Sequence, residues 1–168
     1  KGEKHHWYLG PTGLRGWMFS DRLVTSDARQ ILVTTVDKGS PAEAVFEVGD
    51  VILGVAGKPF SYDPRTEFGK AGTAAETQAG EGTLSLIRWR AGQSEEVVLR
   101  VPVLGSFSAT APFDCEKSAR LLKDGCAALA TRMAKPGYAK MDAIPRSLNA
   151  LALLACGNAE YAPLIKSE

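Results

Sequence analysis

The stretch from Gly39 to Phe60, GSPAEAVFEVGDVILGVAGKPF, restricts the fold more than any other part of the chain. Ser40 is a candidate helix cap, Pro41 suits a first helical position, and Glu43 completes a Ser-x-x-Glu capping box. Ala42, Ala44, Val45 and Phe46 give the helix predicted over residues 40–46 an apolar side. Gly49-Asp50 turns the chain into Val51–Val55, which is apolar and β-branched enough to be a buried strand. Ala56-Gly57 reads as a tight turn in which Gly57 supplies a positive φ, and Lys58-Pro59-Phe60 leaves it. Helix, glycine turn, buried strand and second turn follow one another in about twenty residues, the signature of a small mixed domain.

The flanks extend this pattern. Residues 1–6 are a polar lead-in, and the adjacent His5 and His6 would point to opposite faces of a strand, a poor arrangement for one metal ion. Trp7-Tyr8-Leu9 reads as a short strand, Gly10–Gly16 as a glycine-rich loop, and Trp17-Met18-Phe19 as the start of a second strand. The loop has two readings. It is a hairpin connection built from permissive residues, or a nest of backbone N–H groups that receives an anion such as a carboxylate. It is not a phosphate loop, because no Gly-Lys-Ser/Thr is present and a strand follows. After a polar loop over residues 20–30, Ile31–Val36 is a strong strand. A helix is expected from Asp63 to about Gln78, with Pro64 in its first turn, Gly80 beyond its end, and Phe68, Ala71 and Ala75 facing inward. Gly69 and Gly72 weaken that helix by about 1 kcal/mol each, so either a close neighbour needs the space or the helix frays. Leu84–Arg90 and Glu95–Val103 form a closing hairpin, across which Arg88 and Arg90 can pair with Glu95 or Glu96.

Taken together, Gly-Ser-Pro-Ala at 39–42, Gly-Asp-Val-Ile-Leu-Gly-Val-Ala-Gly at 49–57 and the Gly10–Gly16 loop ahead of them resemble a PDZ domain. The resemblance covers roughly residues 5–104 and assigns 1–106 to a PDZ-like domain. It implies an α+β fold, a partly open β-barrel of about five or six strands with two helices. It also implies a peptide groove. Gly13, Leu14, Arg15, Gly16 and Trp17 would hold a C-terminal carboxylate, Arg15 and Trp17 standing where the family has an apolar residue and Phe. The peptide would add as a strand beside Trp17, Met18 and Phe19. Phe68 would anchor the facing helix, with Arg65 and Gly69 turned to the groove. No histidine stands there, so the ligand class does not carry over.

Beyond a linker over residues 104–112 the apolar period changes to that of helices. Asp114 to Lys135 repeats apolar positions at Ala119, Leu122, Cys126, Leu129 and Met133, and Pro136-Gly137 ends it. A second helix starts near Asp142, carries Leu148, Leu151, Ala152, Leu154 and Ala155, and meets a cap at Gly157. A third begins near Asn158. This helical appendage, 107–168, cannot bury much alone. Residues 147–165 resemble one repeat of an α/α-toroid domain of the terpene-cyclase-like kind, and the whole resembles bacterial proteins in which a PDZ domain precedes such a toroid. Cys115, Cys126 and Cys156 have no metal-ligand spacing. On one helix, Cys115 and Cys126 would be about 16 Å apart, too far to bridge. All three are expected to be small buried residues.

With 45% apolar and 23% charged residues and a formal net charge of +1, the chain has the balance of a soluble globular protein. It has no basic footprint for nucleic acid and no apolar run long enough to span a membrane. No metal, cofactor or catalytic residue is expected. The only two histidines, the lead-in pair, leave no Ser-His-Asp set on sturdy elements, and nothing singles out a Ser–Lys pair. The leading expectation is a module that binds a peptide or protein C-terminus. The alternatives are a scaffold whose groove is closed or filled by the chain's own helical region, and a regulatory part of a bacterial protease whose catalytic residues lie elsewhere. The resemblance points weakly to a periplasmic, exported or envelope location.

Overall fold

The computed structural model describes residues 5–167, and the chain divides between Ser106 and Phe107 into two compact units. The first unit is α+β. Its open antiparallel sheet contains β1 (His6–Tyr8), β2 (Leu14–Trp17), β3 (Ile31–Val36), β4 (Val51–Val55), β5 (Lys58–Pro59), β6 (Thr83–Arg90) and β7 (Gln93–Arg100). The spatial order is β1-β2-β3-β4-β6-β7, with β5 paired to β4. Alternate residues of β3 and β6 point inward, so Ile31, Val33, Leu84 and Leu86 are buried with Leu14, Phe46, Ile52 and Leu99 in one core.

Helix α1 (Pro64–Ala75) lies over this core through Phe68, Ala71 and Ala75, the face expected from the spacing. Its start is written in Asp63, whose Oδ1 accepts from the Arg65 N–H at 2.9 Å and from the buried Thr25 hydroxyl at 2.8 Å. Its end is set where Gly80 crosses the last turn, since a Cβ on Gly80 would lie 2.1 Å from the Ala74 carbonyl oxygen. The helix therefore stops at Ala75, three residues short of Gln78.

The helix predicted over residues 40–46 does not form; the segment is a run of turns. Local bonds hold its turns, with the Phe46 N–H on the Ala42 carbonyl at 2.8 Å, while the Ala42 N–H donates to the Thr12 carbonyl at 3.2 Å; beyond the segment the Gly49 N–H donates to Val33 at 3.0 Å. The Val45 carbonyl accepts from Arg90 Nη2 at 3.1 Å and from Arg88 Nη1. Glu43 reaches back to the Gly39 N–H at 2.7 Å, one residue earlier than a capping box requires, while the Ser40 hydroxyl is buried without a partner. The first unit thus has one α-helix where two were expected, and its sheet has seven strands rather than five or six.

Two arginines of β6 hold that segment down. Arg90 grips Asp50 with two 2.7 Å bonds, Nε to Oδ1 and Nη2 to Oδ2, and Asp50 Oδ2 also accepts from the Glu47 N–H at 2.9 Å. Arg88 pairs with Glu95 as anticipated, but Arg90 turns to Asp50 and Glu47 instead of Glu96. Burial pushes the Asp50 carboxyl up, but the Arg90 bonds, the Glu47 N–H and the positive charges of Arg90 and Arg88 outweigh it and hold the pKa below the usual value. The stabilisation is therefore present above about pH 4 and is lost as pH falls through the lower folded value. We expect Asp50→Asn to lose about 1.5–3 kcal/mol in urea unfolding at pH 7. The variant should also lose less stability than the wild type on acidification below pH 4.

The second unit is helical, with α2 (Glu116–Met133), α3 (Ala143–Ala155) and α4 (Ala162–Lys166). Cys126, Met133, Tyr138 and Leu153 form its core. The apolar faces differ from expectation. Leu153 is fully buried, whereas Leu148, Leu151 and Leu154 are about 60% exposed and Leu122 is 56% exposed. The helical period identifies a stripe, but it does not say which leucines of an apolar-rich helix have a neighbour to pack on. No helix among the described residues is long and apolar enough to cross a membrane.

The N-cap of α2 is Cys115, not Asp114, which takes a positive φ of 46°. All three cysteines are free. Burial, then the adjoining Cys156 thiol, raises the pKa of Cys126. Donors from Ser118, then the Ser108 N–H at 3.4 Å, lower the Cys115 thiol to about 6. Such a thiolate favours the folded state fully above the ordinary thiol pKa, and the advantage disappears as pH falls through about 6. Between pH 6 and 8, ahead of the opposing titration of Cys126, the melting temperature of the second unit should rise, and Cys115→Ser should flatten that rise in calorimetry.

Candidate functional site

Strands β1 and β2 are joined by a turn that the sequence makes unusually tight. Gly10–Thr12 forms a single 3₁₀ turn, and Gly13 follows in the left-handed region at φ 77°. Thr12 closes it. Its fully buried hydroxyl donates to the Leu9 carbonyl at 2.8 Å and accepts from the Leu14 N–H at 3.1 Å. The Leu9 N–H then donates to the Leu14 carbonyl at 3.0 Å, which starts the hairpin. The turn is seated on the segment after β3: the Gly13 carbonyl accepts from Asp37 at 2.8 Å, and a Cβ on Gly13 would lie 2.1 Å from the Ser40 Cβ.

This hairpin covers the edge of β2 that the resemblance offers to a ligand. β2 pairs on one side with β1, through His6–Trp17, Trp7–Gly16 and Tyr8–Arg15, and on the other with β3. Both of its edges are occupied, so an added strand has no place beside Trp17. The expected nest is also closed, because the Leu14 N–H is held by Thr12 and β2 begins at Leu14 rather than Trp17. Arg15 is drawn away toward Asp37 at 3.8 Å, with its guanidinium 4.5 Å from the Tyr8 ring centre. Gly16 leaves room for Ile31, whose Cγ2 would lie 2.2 Å from an added Cβ. Trp17 is half-buried, Met18 is a core residue past the end of β2, and Phe19 is 48% exposed.

Arg65, Phe68 and Gly69 are brought together with a different partner. They line a cavity of about 300 Å³ between α1 and the stretch from Trp7 to Thr12. Gly72, Thr73 and Glu76 continue the helical wall, and Leu84 and Val101 contribute from the sheet. The Arg65 guanidinium lies 3.8 Å from the centre of the Trp7 ring, and its Nη1 reaches the Leu23 carbonyl at 3.4 Å. His5 meets the same indole edge-on, with ring centres 4.2 Å apart. Trp7 Nε1 is buried without an acceptor. His6 Nδ1 lies 2.9 Å from the Thr34 hydroxyl.

β1 is an edge strand of the sheet. Successive residues of an antiparallel strand direct their main-chain groups to opposite sides. Since Leu9 bonds to Leu14, the N–H and carbonyl of Tyr8 face the open side, toward the cavity that Tyr8 helps to line. Gly69 and Gly72 face it from the helix. A Cβ built on either meets no atom within 4 Å, so neither alternative anticipated for them holds: no neighbour claims the space, and α1 is a regular helix through both. Sequence reasoning did not place Trp7–Leu9 or Gly72 at this cavity, and it singled out Gly10–Thr12 only as part of the glycine-rich loop. The one available signal was the glycine pair itself, one helical turn apart in a helix it weakens.

Searches against protein-family models, curated proteins and solved structures found no match for this chain.

Thr12→Val keeps the shape of the side chain but leaves the Leu14 N–H and the Leu9 carbonyl without their partner. A loss of about 1–3 kcal/mol is expected in urea unfolding. Amide exchange should accelerate at Leu14 and Leu9 ahead of the rest of the sheet.

Proposed function

We propose that the first unit is a PDZ-like binding module that takes an extended peptide or protein C-terminus by strand addition along the outer edge of β1, against α1. The observation that carries this reading is the cavity with an open strand edge on one side and two glycines on the other. Main-chain bonds to Tyr8 supply affinity without sequence preference, and the side chains facing α1 supply selectivity. From Arg65 to Glu76 the helical wall is about 16 Å long, which accommodates about five extended residues. Ordering such a peptide costs entropy, so modest affinity is expected.

A scaffold reading stands beside it on one specific observation. β1 covers the edge of β2 where the resemblance would seat a ligand, so the unit fills that slot with its own strand. In that reading the remaining cavity binds nothing.

Heteronuclear NMR of the full labelled chain, titrated with a pooled library of peptides with free C-termini, separates the two. The binding reading expects shifts at Tyr8, Gly10, Gly69 and Gly72 and none at Arg15 and Gly16. Loss of the shifts on amidating the pool would show that the terminal carboxylate is recognised; retention would show that an internal segment suffices. Silence at the four residues would leave the scaffold reading. Tyr8→Pro removes one outward N–H while sparing the bonds to β2. It should fold and bind the responding peptides about tenfold more weakly.

A further inference from the structure

We infer that Cys126 and Cys156 are a modification site of the second unit, a thiol pair that a small-molecule disulfide oxidises to an intramolecular bond tying α2 to the end of α3. The inference is independent of the groove and of what the groove binds.

The two cysteines are distant in the chain and neighbours in the fold. Cys126 lies inside α2 and Cys156 caps the C-terminus of α3, and the two helices pack on each other. Cys126 belongs to the buried core with Met133, Tyr138 and Leu153, and Cys156 packs against that core. Both line one recess of about 210 Å³, together with Leu122, Lys123, Asn158 and Tyr161. The titration of their neighbours reflects this placement. Burial raises the pKa of Cys126, and a hydrogen bond to Cys156 and then its charge raise it further. Burial also raises the pKa of Tyr161, and the charges of Cys126 and Cys156 add to it, so both sulfurs lie near one phenol. Cys115 stands apart. It caps the far end of α2, about 16 Å from Cys126, and its sulfur is engaged by Ser108 and Ser118.

The recess sets the order of reaction. Cys126 is 8% exposed and Cys156 is half-buried, so an oxidant arriving from solvent meets Cys156 first. Cys156 gives up its bond to the Leu153 carbonyl, loses its proton to solvent and attacks one sulfur of the small disulfide. A mixed disulfide forms, and the other half leaves as a thiolate that takes up a proton. Cys126 then loses its proton, attacks the Cys156 sulfur and expels the second half in the same way. Two protein thiols are oxidised to one disulfide, one small disulfide is reduced to two thiols, and no other reactant is consumed. The new bond closes a loop of about 30 residues in a unit with a small core, which restricts its unfolded chain.

The test uses the full chain, reduced and then equilibrated with graded ratios of glutathione disulfide to glutathione. Remaining thiols are alkylated, and the denatured protein is digested with trypsin and read by mass spectrometry without reduction. Arg132, Lys140 and Arg146 stand between the two cysteines, so the bond appears as two linked peptides. The Cys126–Cys156 link should be the main product and should be reversed by dithiothreitol, with Cys115 alkylated or carrying a single glutathione. The link should raise the melting temperature of the second unit by about 10 °C in calorimetry. Cys156→Ser, at the half-buried position, should keep its helical circular dichroism and lose both the link and the rise. Glutathione carried singly on Cys126 or Cys156 without the link, a link through Cys115, covalent dimers, or a link that lowers the melting temperature would each overturn the pair.

Discussion

The arrangement of the first unit depends on the clamp between Arg90 and Asp50. Asp50 is 3% exposed and receives both arms of the guanidinium, a geometry that specifies direction as well as strength. With Arg88, Arg90 also takes the Val45 carbonyl, and so ties residues 45–50 to β6. Just ahead of the tied residues lie Ala42, whose N–H donates to the Thr12 carbonyl, and Ser40, against which Gly13 is packed. The tight turn after β1 is seated by these contacts. A pair of charges on β4's approach and β6 thereby helps to set the position of a hairpin at the other edge of the sheet.

That hairpin decides which edge of the sheet stays open. A sheet adds a strand only at an unpaired edge, and β2 has none once β1 lies beside it. The free edge becomes that of β1, with α1 opposite. The site proposed here is therefore displaced by one strand from the position that family resemblance suggests. The residues meant to form a carboxylate nest serve the hairpin instead, and Arg15 is engaged by Asp37 and Tyr8.

The second unit illustrates a different limit. Its four-residue core, Cys126, Met133, Tyr138 and Leu153, leaves several leucines of α3 exposed. The breaks between helices were legible at Gly137 and Asn158, but the start of α2 was not, its cap being Cys115 rather than Asp114. The buried side was not, because in a helix as apolar as α3 several faces satisfy the same periodicity.

Much of the first unit was readable from local chemistry. The strands β3, β4 and β6, the Asp63 cap and the inward face of α1 follow from alternation, capping and helical spacing, each of which acts within a few residues. The helix predicted at 40–46 failed for the opposite reason. Its capping residues were present, but Glu43 bonds to Gly39 instead of Ser40, and Thr12, Arg88 and Arg90, all distant in sequence, engage its Ala42 N–H and Val45 carbonyl. The candidate site divides in the same way. By itself the sequence determined that Arg65, Phe68 and Gly69 share one face of α1, because helical periodicity is local, and the resemblance alone made that face a wall. Only the tertiary structure decided that the other wall is Trp7–Thr12 rather than Gly13–Phe19, because strand pairing is non-local and only the folded sheet has an open edge.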